Sequence, residues 1–172
     1  VKRFVFAASS SAYGDQSSPN KVETLMPRPL SPYAASKLSG EYLCMAYSHS
    51  MGLDTACLRY FNVFGPRQNP HSEYAAVIPK FIDRAMKNQN LHIYGDGEQT
   101  RDFVYVENIA YANYLACTSD NVAGKVYNIA SGHSMNLSDL AQRILNQLGS
   151  SSGIIYDPPK TGEIKYSVSC LE

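Results

Sequence analysis

Val1-Lys2-Arg3-Phe4-Val5-Phe6-Ala7-Ala8 runs without a break into Ser9-Ser10-Ser11-Ala12-Tyr13-Gly14, and that junction decides the fold class. The first eight residues are rich in β-formers and stop at a run of small hydroxyl residues, which predicts a strand over 1–8. Further on, Ser31-Pro32 reads as an N-cap hydroxyl followed by proline at the first helical position, where its missing N–H costs nothing. A helix over 32–48 follows. The alternation continues with strand 54–61, helix 75–88, strand 91–94, strand 102–104, helix 107–118, strand 125–129, helix 137–148 and strand 153–157. Strands alternating with helices predict an α/β fold with a parallel sheet. The clearest helix is 137–148, where Leu137, Leu140, Ala141, Ile144, Leu145 and Leu148 keep one apolar stripe between a candidate cap, Asn136, and a candidate stop, Gly149. That stripe reads as core. Pro79 inside helix 75–88 predicts either a kink or a late start. The stretch Gly65 to Tyr74 is polar and proline-bearing and reads as loop.

Composition narrows the function classes. Fifteen basic residues balance fifteen acidic ones, with no basic stripe or tail to grip nucleic acid. No segment reaches the roughly 18 apolar residues of a membrane helix. Cys44, Cys57, Cys117 and Cys170 lie far apart without paired spacing, which favours reduced cytosolic thiols over disulfides or zinc. His49, His71, His92 and His133 are equally scattered, so no metal is expected.

Chemistry concentrates in Tyr33-Ala34-Ala35-Ser36-Lys37. Residues four apart share a helix face, so the Lys37 ammonium can approach the Tyr33 phenol. A fixed cation and the positive end of a helix both favour a phenolate over a phenol, and a phenolate is a proton acceptor. In open α/β sheets the reactive groups gather outside the carboxyl ends of strands, where Ser9, Ser10 and Ser11 are expected. Each serine could instead satisfy a backbone group at the strand end. Asn62 could only cap a turn, Phe61 could be ordinary core, and Arg101 could pair with Asp102 or Glu98.

Four ordered motifs carry a resemblance. They are Ala8-Ser9-Ser10-Ser11-Ala12-Tyr13-Gly14-Asp15; Pro29-Leu30-Ser31-Pro32-Tyr33-Ala34-Ala35-Ser36-Lys37; Leu58-Arg59-Tyr60-Phe61-Asn62-Val63-Phe64-Gly65-Pro66-Arg67; and Tyr94-Gly95-Asp96-Gly97 with Thr100-Arg101-Asp102-Phe103. Together they resemble the extended short-chain dehydrogenase/reductases, and among them the NAD-dependent nucleotide-sugar epimerases, most of all those acting on UDP-glucose or UDP-N-acetylglucosamine at C4. The resemblance covers nearly the whole chain. It implies the C-terminal part of a Rossmann-type doubly wound parallel sheet plus a small α/β substrate-binding region. The Rossmann-type portion with the Ser–Tyr–Lys site spans 1–64, and the nucleotide-sugar portion spans mainly 65–172.

The resemblance also implies roles. Tyr33, Lys37 and Ser10 would be catalytic, with Ser9 an equal fit to some family members. Tyr33, Lys37 and Phe61 would meet NAD. Ser9, Ser10, Ser11, Asn62, Val77, His92 and Arg101 would hold a nucleoside-diphosphate sugar, UDP-linked, with Arg101 on the diphosphate and His92 near the uracil. Ala76 is small where the family's sugar pocket varies in size. Related dehydratases and decarboxylases place an acidic residue shortly after the strand-end hydroxyl, whereas Ser10, Ser11 and Ala12 follow Ser9 here without a carboxylate, which favours epimerisation.

One family feature does not occur in these residues: the glycine-rich turn that cradles the dinucleotide pyrophosphate. Val1 falls inside a middle strand, and Leu171-Glu172 reads as a cloning scar, so both ends read as cuts. Weak or absent NAD binding by this chain is therefore expected, as is a homodimer, because the helix with the Tyr–Lys pair forms part of the family's dimer interface. The alternatives are a non-catalytic nucleotide-sugar-binding or dimerising remnant, or a fragment of a nucleotide-sugar dehydratase or decarboxylase.

Overall fold

The computed structural model describes residues 1–16, 18, 20–71, 76–159 and 165–170. In chain order its strands and helices are β1 (Arg3–Ser9), β2 (Asn20–Lys21), α1 (Pro32–Met51), β3 (Asp54–Tyr60), β4 (Asn62–Phe64), α2 (Val77–Met86), β5 (Leu91–Tyr94), β6 (Thr100–Tyr105), α3 (Val106–Thr118), β7 (Lys125–Ile129), β8 (Ser134–Asn136), α4 (Leu137–Leu148), β9 (Ile154–Asp157) and β10 (Tyr166–Ser169). A 3-10 turn, Ser10–Tyr13, follows β1 directly.

The first sheet is parallel, in the order β1-β3-β7. Parallel strands need a long crossover, and α1 supplies it between β1 and β3. Ser31 Oγ accepts the Ala34 N–H at 3.1 Å and Pro32 opens the helix, while Gly52, in the left-handed conformation with φ 64, ends it. The expected helix 32–48 therefore runs on to Met51. Strand β3 is buried along most of its length, because α1 covers one face of the sheet and α3 the other. Cys44 and Cys57 pack with Ala8 beneath α1, and Ala56 and Leu58 pack with Ala116 of α3. Register places Ser9 opposite Tyr60, so β1 and β3 end level with each other.

A second sheet runs β2-β10-β6-β4, with β8 antiparallel to β6, and β5 pairs with β9 in parallel. Over β5 lie α2 and α4, whose Phe81, Ala85, Leu137, Leu140, Ala141 and Leu145 bury Leu91 and Ile93. The stripe read in 137–148 is core. Asn136 caps α4 by accepting the Asp139 N–H at 2.7 Å, and Gly149 ends it at φ 58. Pro79 marks a late start rather than a kink. Helix α2 begins at Val77, so Pro79 falls in the first turn, where an N–H has no intrahelical partner. Residue 75, the expected start, lies outside the described residues. Residues after 64 also build the first sheet, since β7 and α3 both join it.

Four short strands, β2, β4, β8 and β10, were not expected; two to four residues are too few to show a period. Among the described residues no helix is long and apolar enough to cross a membrane. All four cysteines are free, with Cys44 and Cys57 buried and Cys117 exposed. Burial pushes the Cys44 and Cys57 thiols up, away from the reactive thiolate. In the native chain a thiol reagent should therefore modify Cys117 rapidly and leave Cys44 and Cys57 untouched until denaturant is added. Residue-resolved mass spectrometry reads this directly, and rapid native labelling of Cys57 would contradict the packing of α1 on β3.

Candidate functional site

The serine run sits where β1 ends, and its hydroxyls are not equivalent. Ser9 Oγ accepts from the Ser11 N–H at 3.2 Å and from the Ser11 hydroxyl at 2.8 Å, so Ser11 has given its hydroxyl proton to Ser9, whereas Ser9 keeps its own O–H to donate. The half-buried Ser10 hydroxyl makes no hydrogen bond among the described residues. Gly14 closes the turn with φ 66, and a Cβ there would lie 1.9 Å from the Arg28 carbonyl oxygen, so only glycine fits. Tyr13, fully buried, donates its hydroxyl to Asn128 Oδ1 at 2.7 Å, and burial pushes its phenol up. It stays a hydrogen-bond donor.

Helix α1 packs against this turn and brings the other two residues of the expected set. Lys37 Nζ donates to the Ala7 carbonyl at 3.0 Å, lying 5.5 Å from the Phe6 ring centroid and 5.9 Å from that of Tyr33. That bond ties the ammonium to the carboxyl end of β1. Tyr33 itself is 56% exposed. The structure thus gathers Ser9, Ser10, Ser11, Tyr33 and Lys37 at one sheet end.

A second group surrounds a cavity of about 250 Å³ lined by Asn62, Ala76, Val77 and Arg101 among others. Asn62 Nδ2 donates to the Asp102 carbonyl at 3.0 Å, which fixes the side chain across β4 and β6. Arg101 Nη1 donates to the Thr100 carbonyl at 2.9 Å. Val77 is the first residue of α2, so the positive end of a ten-residue helix opens on the cavity. The Asp102 side chain is no partner for Arg101. Fully buried, it accepts from Ser131 N and Oγ at 2.7 and 2.8 Å and from Gly132 N at 2.9 Å, and so pins the loop after β7.

Val77 and Leu137 also border a neighbouring cavity of about 560 Å³ that reaches His92 and Tyr94. Among the described residues strand β5 pairs with β9 alone: Leu91 N–H donates to the Gly153 carbonyl and Gly95 N–H to the Asp157 carbonyl, each at 2.9 Å. Alternation along a parallel strand then turns the N–H and C=O of His92 to the other side. Its ring bonds Asp157 Oδ2 through Nδ1 at 2.8 Å. Phe61 borders neither cavity. It is 5% exposed and packs with Tyr13, Val104 and Ile109.

Sequence reasoning missed Glu41 and Arg59. Arg59 Nε donates to Glu41 Oε2 at 2.9 Å and Nη2 to Oε1, with both residues almost wholly buried. The guanidinium also lies 4.6 Å from the Tyr13 ring centroid. The available signal was a carboxylate one turn beyond Lys37 in a helix and a guanidinium in an otherwise apolar strand. Among the described residues no group of three or more His, Cys, Asp and Glu could hold a metal ion.

Residues 1–130 match the family model described as the NAD dependent epimerase/dehydratase family. The chain belongs to that family. It is similar in structure to a UDP-N-acetylglucosamine 4-epimerase from Methanobrevibacter ruminantium solved with UDP-N-acetylmuramic acid, at 43% identity and TM-score 0.94, over 99% of this chain and 55% of that one. A Thermus thermophilus UDP-glucose 4-epimerase in complex with NAD matches at 35% identity and TM-score 0.90, over 99% and 56%. A UDP-N-acetyl-alpha-D-glucosaminuronate decarboxylase from Bacillus cytotoxicus is 35% identical over 91% of this chain and 50% of its own length. The chain spans about half the length of the curated relatives it matches.

The Asp102 contacts give a stability prediction. Asp102→Asn places an amide N–H₂ against N–H donors in a buried site, which should cost about 1–3 kcal/mol. A lower urea midpoint at unchanged slope would show it; an unchanged midpoint would mean the loop does not depend on this carboxylate.

Proposed function

We propose that this chain carries the proton-transfer set and the sugar-nucleotide cavity of an NAD-dependent UDP-sugar 4-epimerase, which oxidises and re-reduces a UDP-hexose or UDP-N-acetylhexosamine at C4. The observation that carries this reading is the cavity at the start of α2, where Arg101, Asn62 and a helix N-terminus meet, with Asn62 two residues beyond Tyr60, which pairs with Ser9 at the end of β1. A guanidinium fork and helix N–H groups together suit a diphosphate. The adjoining cavity suits the base, because the outward N–H and C=O of His92 match the acceptor and donor along a uracil imide edge.

Tyr33, as phenolate, takes the proton of the sugar 4-hydroxyl. Ser10, or Ser9 through the O–H it keeps, holds that oxygen, since Ser11 has given its hydroxyl proton to Ser9. Lys37 keeps positive charge beside the phenolate, and it has N–H groups beyond the one given to Ala7 for the ribose of the cofactor. Those residues fit the nicotinamide-ribose end of NAD, while no glycine-rich cradle for its pyrophosphate occurs in the 172 residues. Bound there, NAD would supply a hydride acceptor and donor for C4, and return of the hydride to the opposite face would give the C4 epimer. Ser11 and Ala12 put no carboxylate beside Ser10, which favours epimerisation over elimination or decarboxylation.

The second reading is a nucleotide-sugar-binding protein without turnover, favoured by the exposure of Tyr33. The two separate when the purified chain is given NAD and UDP-hexose. Appearance of the C4 epimer by NMR supports the enzyme; calorimetric binding of UDP without turnover supports the binder; neither overturns both. Arg101→Ala should weaken UDP binding by roughly 10- to 100-fold, the worth of a charged hydrogen bond. An unchanged affinity would remove Arg101 from the diphosphate.

Self-association belongs to the same proposal. Tyr42, Leu43, Tyr47 and Met51 are exposed along α1, an apolar surface suited to a second copy of this helix. Light scattering should report a homodimer at micromolar concentration, and Leu43→Glu with Tyr47→Glu should return the chain to a monomer. A wild-type mass equal to one chain would refute the dimer.

A further inference from the structure

We propose that the buried chain Glu41–Arg59–Tyr13 is a positioning element of the site: it fixes the Ser9–Tyr13 turn on α1 and so sets where the Ser10 hydroxyl stands relative to Tyr33 and Lys37. The inference rests on the reading of Ser10, Tyr33 and Lys37 as the reacting set.

The geometry links the two halves of that set through one guanidinium. Arg59 lies in register with Ala8, the residue before Ser9, on the strand next to β1. Its Nε and Nη2 take both oxygens of Glu41, one helical turn beyond Lys37. Its Nη1 donates to the Glu23 carbonyl at 3.5 Å, on the segment that returns from the turn towards α1. The plane of the guanidinium lies over Tyr13, the last residue of the turn, and Tyr13 is held in turn by Asn128. Asn128 is itself fixed, with Nδ2 donating to the Lys21 carbonyl at 3.0 Å and its N–H bonded to Glu23 Oε1 at 2.7 Å. Every link from helix to turn is thus directional.

Burial alone does not need such a device. Apolar contact is non-directional, so a helix that slid or rolled slightly on the sheet would keep most of its buried area. An apolar pair in place of a buried ion pair is often neutral for stability, because the ions pay a desolvation cost. What the forked pair supplies and an apolar pair lacks is a fixed orientation. At the strand end α1 is also tied by the Lys37 bond to Ala7, made by a flexible side chain that the reaction also uses, while Thr55 Oγ1 and Cys57 Sγ of β3 donate to the Cys44 and Glu41 carbonyls further along the helix.

The test uses the full chain without substrate. In Glu41→Met/Arg59→Met both charges are removed together, and Tyr13→Leu removes the ring that the guanidinium covers. Amide hydrogen exchange by NMR compares Gly14 and Arg28, whose N–H groups bond to the turn carbonyls of Ser11 and Ala12, with Ile93 and Ala141 in the distant core. The proposal predicts about tenfold or greater loss of protection at Gly14 and Arg28, with less than about twofold change at Ile93 and Ala141. The Lys37 ε-methylene resonance, set near the Phe6 and Tyr33 rings, should move towards its unstructured value. Tyr13→Phe keeps the ring and should restore both readouts most of the way. Should the double variant fail to fold, Tyr13→Leu against Tyr13→Phe decides. Retained protection at Gly14 and Arg28, or an equal loss in both regions, overturns the proposal. Neither readout requires turnover or UDP binding, so failure of the functional reading and failure of this inference are separate results.

Discussion

A carboxylate and a guanidinium removed from water have to satisfy each other, and in this chain the Glu41–Arg59 pair does so at the meeting point of helix, strand and turn. Both residues are almost wholly buried, so neither can exchange its partner for solvent. Removing one partner would strand the other charge, a loss of roughly 3–5 kcal/mol. That requirement fixes α1 on the sheet more tightly than the small side chains beneath it could, since Ala8, Cys44 and Cys57 offer shape but little direction. The position of the serine turn follows, through Tyr13.

The second region solves the same problem with one carboxylate. Asp102 gathers the N–H groups of Ser131 and Gly132, and its own backbone carbonyl holds Asn62. Strand β6 therefore ties the loop after β7, which belongs to the first sheet, to β4, which borders the cavity. Arg101, next along the same strand, inherits a rigid base. Two buried acidic residues, Glu41 and Asp102, hold the two halves of the candidate site in place, yet neither borders the cavity.

Local signals and non-local ones divide sharply in how far they could be read. The strand over 1–8, the capped start of α1 at Ser31-Pro32 and the Asn136-to-Gly149 span of α4 were legible because each depends on neighbours in sequence. Strands β2, β4, β8 and β10 were not, because two to four residues become strands only through partners far along the chain. The late start of α2 needed the fold to choose between two readings that Pro79 allowed. Ser9, Ser10 and Ser11 were legible as a cluster, but their inequality emerges only when Ser9 and Ser11 are seen bonded together. Phe61 could be read either as core or as a cofactor neighbour, and its side chain packs with Tyr13 in the core.

Hydrogen-bond accounting sorts the polar residues of the site better than residue type does. Ser11, Tyr13, Arg59 and Asp102 each direct their side chains to partners within the protein, which makes them scaffold. The Ser10 hydroxyl has no such partner among the described residues, and the Lys37 ammonium has donors beyond the one given to Ala7. A buried polar group that is fully bonded contributes order, whereas one held in place by its neighbours but left with bonding capacity is prepared for a ligand. By that criterion Ser11 is the spent hydroxyl of the run, while Ser10, without a partner among the described residues, and Ser9, which accepts but keeps its own O–H, both retain bonding capacity.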